Sequence, residues 1–117
     1  MKRVYDEPAA SDGARYLVDR LWPRGVRKET LKLAAWPKEV APSNELRKAF
    51  CHDPENWTEF RRRYRQELEK NSPAWTPLME AVKKRDVTLL FAAKDTEMNQ
   101  ATVLKEFLEE KRRGAQS

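Results

Sequence analysis

Val87-Thr88-Leu89-Leu90-Phe91-Ala92-Ala93 is the most apolar stretch of the chain. It is seven residues long, and its valine, threonine and phenylalanine suit a strand buried on both faces. Lys94-Asp95 ends it. A helical pattern precedes it and another follows it. A strand between two helices joins its sheet in parallel, through crossover connections. The fold is therefore read from this segment outward as α/β.

Upstream, Ser72-Pro73 is a helix start, with serine as N-cap and proline in the first turn. Trp75, Leu78, Met79 and Val82 supply the helix's inner stripe, and Lys83, Lys84 and Arg85 suit its C-terminal end. Before it, Asp53-Pro54 opens a helix with Trp57, Phe60, Tyr64 and Leu68 on one seam. Ser43 caps a shorter helix with Leu46, Ala49 and Phe50 inside. Downstream, Asp95 or Thr96 caps a last helix with Ala101, Leu104, Phe107 and Leu108 inside.

Two strands come first. Lys2 to Tyr5 is a short candidate. Arg15 to Leu21 is the other, with the apolar run Tyr16-Leu17-Val18, and Trp22-Pro23-Arg24-Gly25 stops it. Residues 26–42 lack a period and are broken by Pro37 and Pro42; they read as irregular, with room for one short strand or helical turn. The order is strand, strand, three helices, strand, helix. This predicts a small, mainly parallel sheet flanked by helices, helix-rich in its C-terminal two thirds. Residues 1–110 form one domain and 111–117 a polar tail.

Composition excludes more than it suggests. The chain has 117 residues, room for one domain. Charged residues are 37% of it, yet the net charge is only +5, a mild bias towards anionic partners. One cysteine excludes an internal disulfide framework, and one histidine excludes any site needing two. No apolar run approaches the roughly 20 residues of a membrane span, and no signal-peptide core begins the chain. A soluble, cytoplasmic protein without a membrane partner is expected.

The block Asp12-Gly13-Ala14-Arg15-Tyr16-Leu17-Val18-Asp19-Arg20-Leu21-Trp22-Pro23-Arg24-Gly25 is distinctive. So are Ala41-Pro42-Ser43 followed by Leu46-Arg47, His52-Asp53-Pro54, and Phe60 to Tyr64. Leu90-Phe91-Ala92-Ala93-Lys94-Asp95 with Asn99, Ala101, Val103 and Leu104 completes the set. Together they closely resemble the YeaO-like bacterial proteins, a domain-of-unknown-function family. The resemblance implies a small, soluble, cytoplasmic protein and carries no settled activity. Relatives commonly have glycine where this chain has Cys51, which weighs against Cys51 as a nucleophile.

Four constellations carry chemistry. If the strands of residues 15–21 and 87–93 are parallel neighbours, their C-terminal ends share one sheet edge, where open α/β sheets bind ligands. Asp19, Arg20, Trp22 and Arg24 would meet Lys94, Asp95 and Asn99 there. Arginines grip phosphates or carboxylates and an indole stacks on a flat ring, so the edge suits a small anionic, partly aromatic ligand. The bland alternative is an ion-pair network with Trp22 in the core. Second, Ser43 stands at a helix start that could hold an anion, though a plain N-cap is favoured. Third, Cys51 and His52 are adjacent and point about 100° apart on a helix, so they do not pair.

The fourth constellation is Arg61-Arg62-Arg63 with Arg65. Measured from Trp57, these fall about 40°, 140°, 240° and 80° round the helix, so they make no single stripe. Glu59 is placed to pair with Arg63. Only Arg61, near the seam, is expected to reach inward, and Arg47 on the preceding helix likewise.

The catalytic candidates are Asp19, Asp95 and His52. The ligand-binding candidates are Arg20, Trp22, Arg24, Ser43, Arg47, Arg61, Lys94 and Asn99. No cofactor and no metal site is expected, although magnesium with a bound phosphate would need only Asp19 or Asp95. Binding of a small anion leads. A protein-interaction module follows, which an exposed Trp22 or Trp36 would support. Nucleic-acid binding comes third.

Overall fold

A computed structural model describes residues 1–50, 54–93 and 98–115. Three parallel strands form the sheet: β1 (Lys2–Arg3), β2 (Ala14–Leu17) and β3 (Val87–Phe91), in the order β1-β3-β2. The apolar segment is thus the central strand. Leu90 faces Lys2 on one side and Leu17 on the other. The helices are α1 (Lys28–Leu31), α2 (Asn44–Phe50), α3 (Trp57–Lys70), α4 (Ser72–Lys84) and α5 (Gln100–Ala115). This is the expected α/β fold. No helix among the described residues is long and apolar enough to cross a membrane.

Alternation along the strands builds two cores. Leu89 and Phe91 of β3, with Val18, face a large cluster containing Phe60, Tyr64 and Leu68 of α3 and Val103, Leu104 and Phe107 of α5. Leu90 and Leu17 point the other way, into a smaller cluster with Val4 and Leu31. The helices α2 to α5 therefore cover one face. Residues 22–36 cover the other with Trp22, Leu33 and Trp36. That segment is irregular as expected, with α1 as its helical turn and a bridge from Ala35 to Tyr16 extending the sheet.

Several boundaries differ from expectation: β1 ends at Arg3 and not Tyr5, β2 at Leu17 and not Leu21, β3 at Phe91 and not Ala93, and α3 starts at Trp57 after a 3₁₀ turn over Pro54–Asn56. The N-cap of α4 is Asn71, and Ser72 is its first residue, whose carbonyl accepts from the Thr76 hydroxyl at 2.7 Å. The Asn99 side chain caps α5, accepting from the Thr102 N–H at 3.0 Å; Asp95 and Thr96 lie outside the described residues. The helix α5 runs on to Ala115, into the stretch read as a tail, and Lys111 pairs with Glu69 of α3 at 2.9 Å.

A buried polar cluster joins β2 to the turn before it. Asp12 accepts from Arg15 and pairs with Lys2 at 2.9 Å. Bonds from Lys2, the Ala9 N–H and Arg15 hold the Asp12 carboxyl down, to about 2. Gly13 sits between them at φ +67°, and a Cβ there would come within 2.3 Å of the Asp86 carbonyl oxygen. That oxygen accepts the Ala14 N–H at 2.9 Å, the first link between β2 and the residue before β3. Gly25 has φ +77° but open space around it. Gly13→Ala is therefore expected to cost at least about 2 kcal/mol in urea unfolding, from steric conflict added to backbone strain. Gly25→Ala, with strain alone, should cost about 1 kcal/mol.

Candidate functional site

Beyond Leu17, β2 and β3 separate. The Val18 N–H still reaches the Leu90 carbonyl at 3.1 Å. One residue later a side chain takes over the ladder: the Ala92 N–H donates to Asp19 Oδ2 at 2.9 Å. The other carboxylate oxygen accepts from the side-chain amide of Gln100, the first residue of α5. Asp19 thus ties the ends of both strands to the start of the last helix.

A cavity of about 320 Å³ opens at this edge. Asp19, Arg20, Trp22, Arg47 and Gln100 supply its polar groups, and Leu21, Phe50 and Phe60 its largest apolar walls. Its size is at the lower end of the range for small-ligand sites. The walls are fixed from behind. Arg20 donates through Nε to the Pro42 carbonyl and through Nη2 to the Ala41 carbonyl, both at 3.2 Å. This holds the segment entering α2 against the end of β2. Phe50 of α2 stacks on Phe60 of α3, with ring centroids 4.3 Å apart. Trp22 donates to the Val26 carbonyl at 2.8 Å and meets Trp36 edge-on at 5.3 Å.

Burial pushes the Asp19 carboxyl up, to about 6, against the pull of the Ala92 N–H, the Gln100 amide and the Arg47 charge. At neutral pH the group is mainly ionised, and it protonates under mild acid. Arg47 is half-buried, and its Nη2 donates to Asn44 Oδ1 at 3.2 Å. A guanidinium has five N–H donors, so most remain for a ligand.

The structure brings together Asp19, Arg20, Trp22 and Arg47, and leaves other expected residues elsewhere. Arg24 is exposed and does not line the cavity. Asn99 is buried and caps α5. Arg61 does not reach inward as its angle on the helix suggested. It is bound by Glu106 of α5 at the surface. His52, Lys94 and Asp95 lie outside the described residues. Gln100 and the two phenylalanines were missed as site residues; the Phe50 and Phe60 signals read only as core positions.

Ser43 is an N-cap, its Oγ accepting from the Leu46 N–H at 3.2 Å. Any anion site at that helix start is already filled. Glu67 of α3 accepts from the Ser43 N–H at 2.9 Å and from its hydroxyl at 2.6 Å. The arginine run on α3 is paired as well, its four arginines with three acids. Arg62 and Arg63 share Glu59, and Arg65 takes Glu110. Among the described residues no group of three or more histidine, cysteine, aspartate or glutamate side chains could hold a metal ion.

An open three-stranded parallel sheet with an acid and arginines at its C-terminal edge defines a small α/β protein with a ligand-sized cavity. A family model described as the inactive DUF488-N3 subclade matches residues 1–116, and the chain belongs to that family. It is 48% identical over 107 residues to the uncharacterized protein YeaO of Escherichia coli, covering 92% of this chain and 93% of that one. It is 41% identical over 106 residues to uncharacterized proteins of Mycobacterium tuberculosis and Mycobacterium bovis, covering 91% of this chain and 89% of each. No solved structure matches it.

The raised pKa of Asp19 has a stability consequence. The folded state keeps this proton to about pH 6, whereas an unfolded aspartate loses it near pH 4. Folding therefore loses stability as pH rises from about 4 to 6, by about 3 kcal/mol in all. Asp19→Asn removes the loss. Its amide oxygen can accept the Ala92 N–H, and a rotated Gln100 amide can accept from its NH₂. Urea titrations should find Asp19→Asn more stable than the parent at pH 8, with the advantage shrinking through pH 6 and absent near pH 4.

Proposed function

We propose that this protein binds a small anion, bearing a carboxylate or phosphate on a flat apolar body, in the cavity at the C-terminal edge of its sheet. The observation that carries this reading is the presence of a half-buried carboxyl, Asp19, and a half-buried arginine, Arg47, on the walls of one cavity otherwise largely apolar. Arg47 would take the anionic group, since guanidinium grips carboxylates and phosphates with paired donors. Trp22, Phe50 and Phe60 would hold the flat body. Arg20 would act as a positioning residue, because its donors fix the cavity wall.

Asp19 sets the pH response. Ionised, it repels an incoming anion. Protonated, it can donate a hydrogen bond to one. Binding should therefore tighten as pH falls through about 6 and be accompanied by proton uptake. The family description, inactive, favours binding over turnover. The half-burial of Trp22 and Trp36 removes the feature that would have favoured an interaction module. The cytoplasm is taken as the compartment, in keeping with a lone cysteine.

A thermal-shift screen against nucleotides, sugar phosphates and aromatic carboxylates tests the reading. A ligand at 100 times its dissociation constant adds about 2.7 kcal/mol of stability. The expected result is a shift larger at pH 5.5 than at pH 7.5 and abolished by Arg47→Ala in a protein that stays folded. A shift that survives Arg47→Ala unchanged would place the ligand elsewhere and sink the proposal.

A further inference from the structure

The opposite end of the sheet carries a second and larger groove, of about 460 Å³, between the end of α4, the start of β3 and one side of α5. Five cations line it: Lys83, Lys84, Arg85, Lys105 and Arg112. Among the described residues none of these five side chains has an ion-pair or hydrogen-bond partner, in contrast to the paired arginines of α3. Two acids, Asp86 and Glu109, also line the groove. The C-terminal ends of α4 and α5 contribute about half a negative charge each. Together these leave about two positive charges in excess, concentrated in one concavity.

We propose that this groove is a phosphate-backbone contact surface for double-stranded nucleic acid, bound without reading its sequence. Exposed lysines and arginines on two walls suit a row of phosphates, which position a protein without specifying bases. Among the described residues no aromatic ring lines the groove, so these offer no platform on which unpaired bases could stack, and this favours a duplex over a single strand. On α5, Lys105 and Arg112 stand about 10 Å apart along the helix axis, far enough to meet separate phosphates. The site is independent of the anion cavity. The five residues of β3 separate the two by about 16 Å.

Fluorescence anisotropy of the full chain with a labelled 20-base-pair duplex tests this. Three or four phosphate contacts predict a slope of log affinity against log salt of about −3 to −4. Lys105→Glu with Arg112→Glu, and separately Lys84→Glu with Arg85→Glu, should each weaken binding about tenfold or more and flatten the slope by about 2. All four positions are exposed, and circular dichroism checks that each variant folds. Arg62→Glu with Arg63→Glu carries the same charge change on α3 and should weaken binding only about threefold or less. Equal losses in groove and α3 variants would reduce the effect to net charge and overturn the proposal. Tighter binding of the single strand would overturn it as well. So would displacement of the duplex by poly-glutamate at equal charge concentration, which would assign the groove to an acidic protein partner instead.

Discussion

The pairing of β3 with both other strands is the constraint on which the molecule depends. β1 and β2 are not paired with each other; within the sheet each pairs with Val87–Phe91, and β2 takes a further bridge from Tyr16 to Ala35. The link spans more than 70 residues, so its loop-closure cost falls on a single five-residue strand. That strand must then be apolar on both faces, because Leu89 and Phe91 build one core and Leu90 the other. Thr88 is the exception, and its hydroxyl is satisfied by the Asp12 carbonyl at 2.8 Å. The same strand locates both proposed sites: its end opens on the cavity lined by Asp19 and Arg47 and its start on the cationic groove.

Among the carboxylates that accept backbone N–H groups in this fold, Glu67 and Asp19 make a contrast. Glu67 closes on Ser43 at the start of α2, and the acid and hydroxyl satisfy each other. Asp19 also has two donors, yet burial outweighs them and leaves its carboxyl near 6. A purely structural role would be served as well by asparagine, which accepts the same N–H without a buried charge. A charge held where burial opposes it, on the wall of a cavity that Arg47 also lines, is what the proposed anion site rests on.

What was legible in the sequence follows from how far apart the interacting parts lie. The apolar run of β3, the α3 seam and the cap at Ser43 are local patterns, and each appears where its residues place it. The shared edge of β2 and β3 was legible because parallel pairing follows from the order of elements. Partners supplied from a distance were not. Arg61 lies about 40° from the seam, which suggested burial, but Glu106, 45 residues later, draws it to the surface. Glu67, 24 residues from Ser43, fills the anion site that the helix start advertised. Gln100 reads as an ordinary first-turn residue until α5 is seen to begin beside Asp19.

The net charge of +5 illustrates the same point in energetic terms. A charge total constrains partners only after internal neutralisation is taken out, and that depends on tertiary neighbours. On α3 the four conspicuous arginines meet three acids from the same helix and from α5, so most of their charge is offset at contact. Lys105 attracts no attention in the sequence and Arg85 reads only as a helix end, yet in the groove the acids near them are fewer than the cations. The proposed nucleic-acid surface therefore lies at residues 83–85 with 105 and 112 and not at the arginine run. The half-buried Arg47, screened by Asp19 across the cavity, is felt only by a ligand small enough to enter. The two proposed sites, at opposite ends of the sheet, would thus select anions by different physics: one by long-range attraction at an open surface, the other by desolvated contact at short range.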